Sequence, residues 1–183
     1  MYAFKDIMLG GELNLKRGTW LRDIVVEYIY TKYQSGPYNH DRTQNISDHV
    51  AGMDDYYNHS TYTGWQHWGQ VIGNPLYRSP IYNTNGHIRI YDNRFCALHL
   101  GASGRPTRHL EYRVLATYQE GWGTYAYPFT KRHHNISFLT EATYGLGKGW
   151  KVTAAYAMDF GSRQMLGHNA GMQITVSKSG LLK

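Results

Sequence analysis

A chain of 183 residues with 17 Tyr, 5 Trp and a formal charge of +6 has the length of one domain and more aromatic side chains than a soluble core usually carries. No apolar run nears the roughly 18 residues of a membrane helix, and the single cysteine, Cys96, allows no disulfide framework. Lys and Arg are scattered through strand ends and turns with no run beyond Lys131-Arg132, which argues against nucleic acid as a partner.

In chain order, alternation of period two predicts strands at 6–16, 20–33, 87–101, 107–119, 135–144, 150–160 and 169–178. In the first, Ile7, Leu9, Leu13 and Leu15 oppose Asp6, Glu12 and Asn14. The third is interrupted by Asp92-Asn93-Arg94, which predicts a bulge or a shifted start. In the fourth, Leu110, Tyr112, Val114, Ala116 and Tyr118 alternate with His109, Glu111, Arg113, Thr117 and Gln119. The sixth sets Trp150, Val152, Ala154, Tyr156, Met158 and Phe160 against Lys151, Thr153, Ala155, Ala157 and Asp159. The last sets Ala170, Met172, Ile174 and Val176 against Gly171, Gln173, Thr175 and Ser177. A tilted strand crosses a bilayer in about 9 to 11 residues. Apolar alternation of that length, with aromatics near the ends, predicts an all-β chain forming an antiparallel transmembrane β-barrel. The mean hydropathy of −0.56 does not oppose this, because alternation halves the hydropathy of every barrel strand. A soluble sandwich or lipocalin-like barrel also alternates, but its outward face would carry charge where this chain has Thr, Ser, Gln, Ala and Gly.

The connections at 16–19, 102–106 and 145–149 read as short turns, and those at 34–86, 120–134 and 161–168 as longer loops. In bacterial outer-membrane barrels short turns face the periplasm and long loops the exterior. The first strand then begins outside and the C-terminus lies in the periplasm. With an odd strand number and no signal peptide at Met1, residues 1–183 are expected to be the C-terminal part of a larger barrel.

The loop at 34–86 is long enough to expect a function. Asp54, Tyr56, Tyr57, Asn58, Trp65, His67 and Trp68 bring flat aromatic faces beside carboxylate, amide and imidazole groups. That mixture suits stacking on sugar rings and pairing with hydroxyls, so these seven are the candidate polysaccharide-binding residues. Packing of the loop onto itself and into the barrel mouth is the competing use of the same side chains. No catalytic constellation stands out. The His residues lack zinc-motif spacing, Asp54-Asp55 with Asn58 lacks a regular calcium loop, and Glu111 and Glu141 are expected to pair with basic neighbours such as Arg113 rather than hydrolyse sugars. No metal, cofactor or enzymatic activity is expected.

Particular tracts carry a resemblance. Trp20-Leu21-Arg22-Asp23-Ile24-Val25-Val26-Glu27-Tyr28, Gln34-Ser35-Gly36-Pro37, Asp54-Asp55-Tyr56-Tyr57-Asn58, Gly64-Trp65, Ser79-Pro80-Ile81-Tyr82-Asn83, Gly121-Trp122-Gly123-Thr124-Tyr125 and the closing Gly171-Met172-Gln173-Ile174-Thr175-Val176-Ser177-Lys178 resemble the C-terminal part of the Wzi capsule-assembly family of Bacteroidetes-type bacteria. The resemblance implies a bacterial outer-membrane barrel of about eighteen strands, surrounded by outer-membrane lipid, that binds and organises capsular polysaccharide without enzymatic activity. The chain lacks that family's N-terminal region and ends in Gly180-Leu181-Leu182-Lys183 rather than a terminal aromatic. A porin-like channel for small solutes, working through the polar strand face, is the alternative function.

Overall fold

The computed structural model describes residues 5–15, 20–34, 38–40, 49–51, 57–58 and 65–180. The strands are β1 (Ile7–Asn14), β2 (Asp23–Tyr30), β3 (Tyr38–His40), β4 (His49–Ala51), β5 (Gln66–His67), β6 (Gln70–Val71), β7 (Phe95–Gly104), β8 (Leu110–Gly123), β9 (Pro128–Gly147), β10 (Trp150–Gly161) and β11 (Asn169–Lys178). A single 3-10 turn, Pro80–Tyr82, precedes β7 among the described residues. The chain is all-β, with a seven-stranded antiparallel open sheet in the order β1-β2-β7-β8-β9-β10-β11. Two further ladders, β3-β4 and β5-β6, lie within the long loop.

The seven sheet strands are the seven that alternation predicts, with shifted ends. The third begins at Phe95, not residue 87, because Asp92 and Asn93 are buried ahead of it instead of alternating. The expected long loop at 120–134 is corrected: β8 continues to Gly123 and β9 starts at Pro128, leaving residues 124–127 as the connection. Short and long connections therefore do not alternate strictly.

The described residues group into two compact units, one comprising Met1–Met8, Ile29–Ala97 and Gln119–His134 and the other Leu9–Tyr28, Leu98–Tyr118 and Asn135–Lys183. In the second unit the register aligns like with like. Tyr144, Val152 and Val176 lie side by side, as do Ala142, Ala154 and Ile174, and Phe138, Met158 and Ala170. One residue along, Thr143, Thr153 and Thr175 form a row, as do Glu141, Ala155 and Gln173. Because side chains alternate across a strand, these rows make one apolar and one polar face. Arg113 joins the polar face through Glu141 at 3.3 Å, and His99 through Thr117 at 2.7 Å. The apolar face stays open: Leu100, Tyr118, Tyr144, Trp150, Tyr156, Phe160, Met172, Ile174 and Val176 are all exposed.

The first unit holds a hydrophobic core of Tyr77, Ile90, Phe95 and Ala97, against which Ile29, Tyr57, Val71 and Leu76 pack. Tyr77 meets Phe95 edge-on at 4.9 Å between centroids. Gln119 Nε2 donates to Leu76 O at 3.1 Å, so the loop lies on the face of β8 that carries Gln119. Burial along β8 records the cover: Gln119, Gly121 and Gly123 are buried, while Glu120 and Trp122 are partly open. Phe95 is completely buried, so Phe95→Ala should lower unfolding stability by about 3 to 5 kcal/mol. Denaturant titration of the folded protein measures this, and a loss below about 1 kcal/mol would place the core elsewhere.

Candidate functional site

Of the seven residues singled out for sugar contact, Asp54 and Tyr56 lie outside the described residues. The other five separate into two groups. Tyr57 and Asn58 belong to the packing. The Tyr57 ring lies 4.3 Å from that of Tyr77, and its hydroxyl donates to Ile72 O at 3.2 Å. Asn58 acts as a clamp on the returning chain: its Nδ2 donates to Ile90 O at 2.8 Å, and Ile90 N–H donates to its Oδ1 at 2.9 Å. No group of three or more metal-ligating side chains occurs among the described residues.

Trp65, His67 and Trp68 are presented outward. They sit on the β5-β6 hairpin, where Gln66 pairs with Val71 and His67 with Gln70, and where Ile72 N–H donates to Trp65 O at 2.8 Å to extend the ladder. The two-residue turn is Trp68-Gly69, with φ of 51° and 74°, as a type I′ hairpin requires. Gly and Asn adopt this conformation readily; for a bulky side chain it costs about 1 to 2 kcal/mol. Trp68 is nonetheless there and is 86% exposed, with Trp65 at 70%. An exposed indole held in strained backbone is the kind of outlier from which a binding role is argued. The hairpin tip is anchored by Ile81 N–H donating to Gly69 O at 2.9 Å, and Val71 N–H donates to Ser79 Oγ at 3.1 Å. These bonds bring the exposed Ile81 and Tyr82 to the hairpin's flank. Residue reading missed that pair, for which an exposed apolar turn after Ser79-Pro80 was the available signal.

In the second unit a depression of about 280 Å³ opens on the polar face, lined by Asp23, Ser103, Arg105, Glu111, Arg113 and Glu141 among others. Its two glutamates already have partners. Arg105 faces Glu111 and Arg113 faces Glu141, each at 3.3 Å, while Asp23 accepts from Ser103 Oγ at 2.7 Å and Asn14 Nδ2 at 2.5 Å. Glu111 and Glu141 thus stand opposite guanidinium groups, as expected.

Asp92 is the buried ionisable group at the root of the loop. Its Oδ1 accepts the Gly123 N–H at 2.9 Å. Its Oδ2 lies against Gly121, where a Cβ would collide with the carboxylate, and has no hydrogen-bond partner among the described residues. Burial pushes its carboxyl up to about 7, outweighing the Gly123 and Trp122 N–H groups and the Arg94 guanidinium, which pull it down. The three consecutive polar residues at 92–94 were the sequence signal for it.

No known protein family, curated protein or solved structure matches this chain.

Because the folded-state value of Asp92 is raised from 3.8 to about 7, the fold favours the protonated form. Its contribution is complete below about pH 4 and is lost as pH rises toward 7, at about 1.4 kcal/mol per pH unit. Asp92→Asn should flatten that slope in denaturant titrations across this window while keeping an acceptor for Gly123. An unchanged slope would assign the titration to another group.

Proposed function

We propose that this chain is the C-terminal portion of an outer-membrane β-barrel that binds and organises capsular polysaccharide at the cell surface, in the manner the Wzi-like tracts imply. The observation that carries the reading is the two-faced sheet of the second unit, whose apolar rows continue across β9, β10 and β11 and remain exposed. An exposed apolar surface of that extent is a membrane or partner interface. The aromatic positions support a membrane. Trp20, Tyr112, Tyr144 and Trp150 lie at the turn end of the strands, and Tyr118 and Phe160 toward the opposite end. From Trp150 to Phe160 the strand covers about 33 Å at about 3.3 Å per residue, which projects to about 25 Å at a barrel tilt. That is the height of a transmembrane apolar band.

The binding function rests on Trp65, His67 and Trp68. A porin-like role would need an open polar face, and the docking of Leu76 and Tyr77 against Gln119 and Phe95 favours the surface-binding reading.

Two measurements test the two halves. Ile174 and Thr175 are neighbours on β11 with opposite facing. Ile174→Arg should cost roughly 2 to 4 kcal/mol of folding stability in bilayers, and Thr175→Arg much less; equal costs would remove the lipid assignment. Replacing Trp65 and Trp68 together by Ala should weaken capsule retention on washed cells by about 2 kcal/mol or more in binding terms, with heat-modifiable migration of the barrel unchanged. Full retention by a normally folded double variant would reject the hairpin as the binding surface.

A further inference from the structure

Six cation–aromatic contacts occur among the described residues, against an expectation of about one strong case per 70 to 80 residues. Five lie in the first unit, and three centre on the end of β8. Lys32 Nζ stands 4.8 Å and the Arg132 guanidinium 6.0 Å from the centroid of Trp122. The Arg94 guanidinium lies 4.0 Å over Tyr125, and its Nε donates to Lys32 O at 3.0 Å. Tyr30 meets Trp122 edge-on at 6.2 Å. Trp122 continues the even-numbered series of β8: Leu110, Tyr112, Val114, Ala116, Tyr118, Glu120, Trp122. The face read as lipid-exposed thus ends on Glu120 and Trp122, and the cations that meet it there come from neighbouring segments, Lys32 and Arg132.

Electrostatics leaves this belt positive. Arg132 is paired with Glu120 at 3.1 Å, and His134 lies 3.9 Å from the same carboxylate. Lys32 and Arg94 enter no salt bridge among the described residues. Cys96 Sγ, 3.9 Å from Glu120, adds no charge that offsets them. Of the other nearby acids, Asp92 is held toward its neutral form by burial, and Asp6, which accepts the Tyr33 N–H at 2.8 Å, is matched by Lys5, whose Nζ lies 4.7 Å over the Tyr33 ring. Cations spread over indole and phenol rings at the end of an apolar strand face match the place where lipid headgroups meet water.

We infer that Lys32, Arg94 and Arg132, arrayed on Trp122 and Tyr125, bind the phosphate of anionic lipid headgroups in the leaflet beside the long loop. This inference rests on the membrane reading. The aromatic rings supply the hydrocarbon-to-water transition, Lys32 in the turn after β2 and Arg132 on β9 both approach the Trp122 indole, and Arg94 ties the group to the loop root.

The test reconstitutes the protein into phosphatidylcholine nanodiscs carrying a minor fraction of spin-labelled phosphatidylglycerol or, in parallel, spin-labelled phosphatidylcholine, and measures the motionally restricted fraction of each. The anionic lipid should be preferred, the preference should fall with added salt, and Lys32→Gln and Arg132→Gln should each reduce it roughly fivefold. Lys131→Gln, on the alternate face of β9, should leave it unchanged and serves as a folding-matched control. Equal restriction of both lipids by the wild type, or a preference kept when Lys32→Gln and Arg132→Gln are combined, overturns the inference while leaving the membrane reading standing. Abolition of the preference by inorganic phosphate at constant ionic strength would assign the site to free phosphate and also overturn it. Failure of the wild type to enter either bilayer would defeat the membrane reading and this inference with it.

Discussion

Thr31 and Phe95 close the long excursion of the chain, and the first unit is built on that closure. Thr31 N–H donates to Phe95 O at 2.8 Å, Phe95 N–H donates to Thr31 Oγ1 at 3.0 Å, and the same hydroxyl donates to Asn93 O at 2.9 Å. Gln34 Nε2 adds bonds to Thr31 O and Asn93 O at 2.9 and 2.7 Å. All four residues are buried, where losing a partner costs the full desolvation of the group left behind. Lengthening a loop adds only about 0.6 kcal/mol per doubling, so a long excursion is tolerable once its two ends are joined this firmly. The junction places Phe95 under Tyr77, brings Asp92 to the backbone of Gly121 and Gly123, and sets Arg94 beside Lys32 and Tyr125.

The sheet imposes a second constraint. Every residue of β1 and of β11 is exposed, and these are the outer strands of the described sheet. Open edges are templates for further pairing, and in hydrocarbon each unpaired backbone group costs several kcal/mol. On the proposed membrane reading the edges therefore require more strands, and a seven-stranded sheet is a sector of a wall. The same requirement does not fall on β5 and β6, whose short ladder is anchored to the Pro80–Tyr82 turn by Gly69 O and Ile81 N–H.

Strand existence and facing were legible in the residues because a period of two is a strong signal wherever one face is apolar throughout; β10 and β11 have the ends that alternation predicts or end one residue away. The signal failed where tertiary contacts set the pattern. Gly121-Trp122-Gly123 reads as part of the loop at 120–134, yet the glycines are strand residues kept small by the Asp92 carboxylate and by the Tyr127 and Phe129 backbone. Lys131, Arg132, His133 and His134 read as a loop because strand beyond an apolar band can be polar on both faces. In the long loop, composition could not divide Tyr57 and Asn58 from Trp65 and Trp68. The partner that makes Asn58 structural is the backbone of Ile90, 32 positions away, and nothing local marks Trp68-Gly69 as a turn that holds its indole in solvent.

The two sets of exposed aromatic and aliphatic side chains answer different demands. On β9, β10 and β11 exposure follows the register row by row, so replacing any one residue leaves the surface continuous. Such redundancy suits a solvent-like environment that touches every row, as lipid does. Trp65 and Trp68 stand on a two-strand hairpin, and Trp68 is held at positive φ, a conformation with a steric cost for its indole. A nonspecific apolar surface needs neither the strain nor the fixed geometry, whereas stacking against a sugar ring needs a flat face held at one place and angle. On the proposed reading, the redundant surface is the one that meets lipid and the strained, singular one the one that meets a ligand.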